Sequence, residues 1–164
     1  MKAPVDKGEL LALLRTRLAE RLDGLTASQK ATQSGAVHSE SKQEHPKDTR
    51  AIEASYLARG LAERVETLRE GVAALARLEL RDLGADDAVQ LGALVGLRDE
   101  EDRETVCFLA PAGGGERLDL GGASVLVVTP RAPLGASLVG SRIDDDIEVE
   151  LPGGRRWVAV HWLR

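Results

Sequence analysis

The chain has 164 residues and a mass of 17.5 kDa, with 43% apolar and 30% charged residues and a formal net charge of −5. That length lies between one ordinary domain and two small ones, and the apolar fraction suffices for a packed core. Four aromatic side chains (Tyr56, Phe108, Trp157, Trp162) argue against a base-stacking nucleic-acid surface, the lone Cys107 excludes an internal disulfide framework or a Cys-rich zinc site, and no run of 18 apolar residues exists to span a membrane.

The charge is unevenly spread. Residues 1–86 hold 14 basic and 14 acidic side chains, whereas residues 87–164 hold 8 and 13. All five lysines precede residue 48. A chain with this balance has no global basic footprint for gripping nucleic acid by its phosphates, and a protein partner is expected instead. The segment beginning Met1-Lys2-Ala3-Pro4 meets charged residues before any apolar signal core, so the expected compartment is the cytoplasm.

Residues 1–80 read as helix. Leu11, Leu14, Leu18, Leu22 and Leu25 form one apolar stripe on a 3.6-residue period, and Leu61, Val65, Leu68, Val72 and Leu75 form a heptad seam. Between the stripes lies Glu44-His45-Pro46-Lys47-Asp48, where Pro46 breaks a helix and Asp48 suits a new N-cap. These signals predict an antiparallel coiled-coil hairpin with its tip near 40–48. Its register sets Leu18 near Leu75 and Leu25 near Leu68. Toward the turn the stripe shrinks to Ala27, Ala31, Gly35 and Ala36, giving a slender polar end.

A linker is expected over 81–89, within Leu80–Asp87 and its neighbours. From residue 90 glycine and proline punctuate short β-like runs. Strands are predicted at Leu94–Arg98, Thr105–Leu109, Ser124–Val128, Asp146–Leu151 and Arg156–Leu163, with a short helix at Pro133–Leu138. Val125-Leu126-Val127-Val128 is apolar on both faces, as an interior strand requires. Gly113-Gly114-Gly115 lacks the Lys-Ser/Thr of a phosphate loop and reads as a hairpin tip, as does Pro152-Gly153-Gly154. Asp144-Asp145-Asp146 reads as a solvated turn, Cys107 as a buried small hydrophobe, and His38, His45 and His161 lack zinc-binding spacing.

The stretch Val128-Thr129-Pro130-Arg131-Ala132-Pro133-Leu134-Gly135-Ala136-Ser137-Leu138-Val139-Gly140-Ser141-Arg142 resembles the Pro–Pro loop and short helix of the bacterial Gre transcript-cleavage factors. The following Ile143 to Gly154 resembles their closing strand and Pro-Gly-Gly hairpin. The likeness covers most of residues 90–164. Asp48 to Gly60 is similar to the tip-to-shaft segment of a less-studied group of Gre-like proteins.

The resemblance implies an α+β protein: an N-terminal antiparallel coiled-coil hairpin, then a C-terminal FKBP-like antiparallel β-sheet domain with one short helix. It implies docking of that domain on the rim of the RNA polymerase secondary channel through Pro130, Arg131, Ala132, Pro133 and Leu134. It also implies entry of the tip into the channel, near the RNA 3′ end. There the tip acids Glu44, Asp48 and Glu40 would assist Mg²⁺-dependent cleavage of backtracked RNA. Glu44 and Asp48 would contact a Mg²⁺ shared with the polymerase; the protein would have no cofactor of its own, would not itself be an enzyme, and would act as a monomer.

Aligned back from Gly60 without a gap, the family's paired glutamate falls on Glu44 and its leading aspartate on Ser41. Two outcomes stay open: stimulation of cleavage, or channel binding that inhibits or competes with Gre factors. Residue by residue, plainer roles stay open too. Glu40 and Glu44 also fit solvated helix charges, Asp48 an N-cap, and Arg131 to Leu134 a rigid loop feeding the helix. Two other classes compete, a peptidyl-prolyl isomerase and a coiled-coil adaptor. The first needs an aromatic-lined pocket, and the second a longer apolar seam reaching the turn.

Overall fold

The computed structural model describes the backbone of residues 5–40, 49–151 and 153–164, and their side chains except those of 36–40 and 151. The elements in chain order are α1 (Lys7–Glu40), α2 (Thr49–Ala76), β1 (Leu94–Asp99), β2 (Glu104–Leu109), β3 (Arg117–Leu120), β4 (Ala123–Val128), α3 (Pro133–Leu138), β5 (Asp146–Leu151) and β6 (Gly154–Leu163). By its contacts the chain divides into two units. One is Thr16–Ala73; the other joins the chain through Arg15 to everything from Ala74 onward.

Within Thr16–Ala73 burial follows the two stripes and thins along them. Leu18 and Val65 are buried, whereas Leu22, Leu25, Leu61, Leu68 and Val72 are half-buried. Ser28, Thr32 and Ser34 donate their hydroxyls to the carbonyls of Gly24, Ser28 and Lys30, one turn back. Side chains that turn inward on their own helix leave less apolar surface for a partner.

In the other unit, Asp6 starts α1 by accepting the Glu9 N–H at 2.8 Å, so one of the helix's orphan donors is satisfied. Arg15 then caps a different helix. Its guanidinium donates to the carbonyl of Leu75 at 2.7 and 3.0 Å and to that of Ala76 at 3.2 Å, where α2 has no further N–H to offer. The start of α1 therefore lies beside the end of α2, and the helices run antiparallel there. The contact places residue 15 beside residue 75, within one turn of the predicted register.

The six strands form one sheet in the order β3-β4-β2-β1-β6-β5. Four of its pairings are antiparallel, as predicted, but β2 and β4 run parallel, with Val106 beside Val125 and Leu109 beside Val128. The sheet is thus mixed. The parallel pair explains the apolar run of β4, which is an interior strand. It also corrects the reading of Gly113-Gly114-Gly115. Because β4 separates β2 from β3, these glycines do not form a hairpin tip; they carry the chain across β4, and Gly115 donates to the Val127 carbonyl at 2.9 Å. The hairpin between β3 and β4 turns through Gly121-Gly122, both at positive φ (60° and 77°), as a turn matched to strand twist requires. Strand β3, absent from the sequence expectation, is four residues long with only Leu118 buried.

One core cluster lies between one face of the sheet and α3. Val95, Leu97, Cys107, Leu109, Val128, Ile147, Val149 and Val160 face Leu138, with Leu134 packed against them. Leu94, Phe108, Leu118, Val125 and Val127 are also buried but lie outside that cluster. Asp144-Asp145-Asp146 is a turn into β5, as expected: Asp145 accepts the Arg142 N–H at 2.7 Å and Asp144 sits at φ 68°. α3 has Pro133 in its first turn and no side-chain cap, and proline brings no N–H that would need one. The helix approaches the preceding loop so closely that a Cβ on Gly135 would lie 1.9 Å from the Thr129 carbonyl oxygen.

Two glycine substitutions separate packing from propensity. Gly135→Ala is expected to destabilise the protein by about 3 kcal/mol, since backbone must move. Gly60→Ala, in α2 with nothing within 4 Å of the added methyl, is expected to stabilise it by about 0.5–1 kcal/mol. Denaturant melts of both variants test the pair, and a Gly135→Ala protein of normal stability contradicts the close approach.

Candidate functional site

The predicted docking residues lie together on the loop that leaves β4 and enters α3. Pro130 follows the buried end of β4, and a turn closes behind it as Ala132 N–H donates to the Thr129 carbonyl at 3.0 Å. Arg131 and Pro133 are exposed, whereas Pro130, Ala132 and Leu134 are half-buried. The loop is thus anchored at alternate residues, with a guanidinium and a proline ring held outward. A preformed surface of this kind loses little entropy on binding.

The predicted tip residues are not brought together in the described structure. Glu44 and Asp48 lie outside the described residues, as does Ser41, and of Glu40 only the backbone is described, as the last residue of α1. Among the described residues no group of three or more His, Cys, Asp or Glu side chains could hold a metal ion. No helix among the described residues is long and apolar enough to cross a membrane.

Below Leu134 the sheet and α3 enclose a cavity of about 160 Å³, lined also by Leu97, Asp99, Thr105, Val149, Arg156 and Val158. None of these wall residues is aromatic, so the wall lacks the feature the isomerase reading requires. Sequence reasoning missed this cavity. Cys107 is buried and its thiol is pushed up to about 12 by desolvation, which keeps it protonated and unreactive near neutrality.

Asp99 is the one cavity residue with a perturbed acid. The Arg103 backbone N–H (2.9 Å) leads in holding its carboxyl below the ordinary carboxylate range, and the Arg103 Nε (2.8 Å) and Glu101 N–H (3.0 Å) add to it. These bonds close the β1–β2 hairpin. A carboxylate whose pKa is depressed on folding contributes stability that is present above its unfolded pKa and is lost as pH falls through the folded one. The hairpin is therefore expected to hold through mildly acidic pH and to loosen only below the usual aspartate range. An NMR titration of the Asp99 carboxyl carbon checks this, and a midpoint at or above that of an unstructured aspartate contradicts it.

A surface patch on α2 was also missed. Ile52, Tyr56 and Leu57 are 53%, 68% and 71% exposed, although Tyr56 is the first half's sole aromatic residue. They lie off the seam positions, which explains their exposure but left no signal in the stripe itself.

Comparison with known proteins gives the fold a context. Transcription elongation factor GreA of Rhodospirillum rubrum is 31% identical over 90 residues, which is 54% of this chain and 54% of that protein. GreA of Zymomonas mobilis is 35% identical over 74 residues, 45% of this chain and 43% of that protein. The chain is similar to GreA over about half of its residues, and it spans about half the length of the curated relatives it matches. No protein-family model matches it. Among solved structures, the chain is similar to GreA factor homolog 1 (Gfh1) of Thermus thermophilus (19% identity, 92% of this chain and 94% of that one, TM-score 0.40). It is also similar to a GreA/GreB elongation factor of Nitrosomonas europaea (26% identity, 62% of this chain and 90% of that one, TM-score 0.37). Neither score reaches 0.5, and the relationship rests on the sequence matches.

Proposed function

We propose that the chain is a transcription elongation factor that binds bacterial RNA polymerase at the secondary-channel rim and sends its helical hairpin into the channel. The observation that supports this most is the pair of GreA sequence matches. Two antiparallel helices followed by a sheet domain that presents the Arg131 loop agree with it. In this reading the loop Pro130 to Leu134 docks on the polymerase, and the protein works as a monomer in the cytoplasm.

The tip residues Glu44, Asp48 and Glu40 then lie near the RNA 3′ end. Magnesium takes oxygen ligands and keeps several waters, so one or two added carboxylates suffice where phosphates supply the rest. The ion belongs to the polymerase active centre and supplies charge neutralisation and water activation there. This chain contributes carboxylates only, and the RNA cleavage remains the polymerase's own. Ser41, at the position of the family's leading aspartate, favours a second reading: a factor that occupies the channel and inhibits or competes without stimulating cleavage.

Transcript cleavage in a backtracked elongation complex, with the cognate polymerase and Mg²⁺, separates the two. The first reading expects faster release of 3′ RNA fragments, and Glu44→Ala is expected to abolish the stimulation while polymerase affinity stays unchanged. No stimulation together with displacement of a Gre factor establishes the competitor. Neither stimulation nor displacement overturns both. Arg131→Glu is expected to weaken polymerase binding about tenfold, and unchanged affinity removes the loop from the docking surface.

A further inference from the structure

The core face of the sheet is longer than the helix that covers it. α3 has six residues, a length of about 9 Å, and beside its first turn the face opens into the cavity beneath Leu134. Its apolar wall comes from four elements: Leu97 of β1, Leu134 of α3, Val149 of β5 and Val158 of β6. A largely apolar space of about 160 Å³ matches the roughly 150 Å³ that accommodates a benzene-sized group.

Two charged groups share the wall, and they differ in what they have left to offer. The Asp99 carboxylate is committed to two backbone N–H groups and to Arg103. Arg156 is exposed, and its side chain makes no hydrogen bond or ion pair among the described residues. The uncommitted charge at the cavity is therefore a guanidinium, whose fork of donors fits a carboxylate. Asp146, Glu148 and Glu150 alternate with Ile147 and Val149, which places them on the opposite face of β5 from the cavity.

β5 is also an edge strand. Along the side away from β6 its backbone groups pair with no other strand among the described residues, and Val149 lies in the middle of that edge. An extended peptide beside β5 can use those groups while it places a side chain in the cavity. We propose that the cavity receives an aliphatic side chain from an extended segment of a partner protein. A carboxylate two residues away in that segment, on the same side of the strand, is held by Arg156. The site stands on the cavity, the sheet edge and Arg156, and does not depend on the polymerase reading.

The test is an NMR titration of the full chain with a blocked peptide, acetyl-Gly-Leu-Gly-Glu-Gly-amide. Saturable shifts are expected in the methyls of Leu97, Leu134, Val149 and Val158. Arg156→Gln is expected to weaken binding about tenfold, with the amide spectrum otherwise unchanged because Arg156 is exposed. Arg156→Glu is expected to prefer the peptide in which lysine replaces glutamate. Absence of saturable shifts, or equal affinity for the Gln variant, overturns the proposal. Hexanoate binding more tightly than the peptide also overturns it, and makes the cavity a site for small acids.

Discussion

The sheet domain depends on one close approach, that of Gly135 to the carbonyl of Thr129. Any side chain at 135 would force the short helix away from the end of β4, and the helix is what covers the core face of the sheet. With hydrogen there instead of a methyl group, α3 can follow β4 after a loop of a few residues and still lie flat on Val128, Ile147 and Val160. The same contact fixes what is outside. It holds Pro130 and Ala132 partly inward, so Arg131 and Pro133 face solvent. It also sets how far Leu134 reaches over the sheet, and hence where the cavity begins. The exposure of the Arg131 loop, the cover over this face of the sheet and the cavity are three results of one steric allowance.

Much of this arrangement could be read from local pattern. The bounds of α3 and β5 agree with the sequence expectation, and β1, β2, β4 and β6 differ by one or two residues, because alternating Val and Leu between glycine turns specify strand and face together. What failed was partner choice. Glycine at 113–115 marks a turn but does not say which strand comes next in the sheet, and a strand's period does not reveal whether its neighbour runs parallel. β3 escaped notice because four residues with one buried leucine carry almost no periodicity. The exposed loop from Pro130 to Leu134 was legible, since its residues are contiguous. The cavity was not, because it depends on α3 being shorter than the face beneath it, and its walls come from five separate elements.

The helices show the complementary case. Both stripes were evident, yet the residue that ties their ends together, Arg15, belongs to neither. It lies beside the seam and acts through carbonyls that every sequence has. A hydrogen bond from a charged group contributes about 1.5–3 kcal/mol, comparable with burying one seam leucine. The contact groups the beginning of α1 and the end of α2 with the sheet. Beyond it, Leu18 and Val65 are buried but their successors only half so. The expectation for Glu44 came from a family motif and that for Glu40 and Asp48 from their spacing, and the side chains of all three lie outside the described ones.

The strand order carries a consequence for how the protein is made. β6 is the last strand in sequence but lies inside the sheet, between β1 and β5, with Val95 beside Leu163. During synthesis β1, β2, β3 and β4 precede β6 and can form a four-stranded half-sheet, yet β1 remains an open edge until β6 is complete. A nascent chain must therefore carry an unsealed apolar edge while residues 100–163 are made, which is the kind of surface that chaperones hold and neighbouring ribosomes' products pair with. The run Glu100-Glu101-Asp102 at the tip of the β1–β2 hairpin, and Arg98 within β1 itself, put charge on that edge during the wait. In this light part of the domain's acidic excess serves the chain before it is folded.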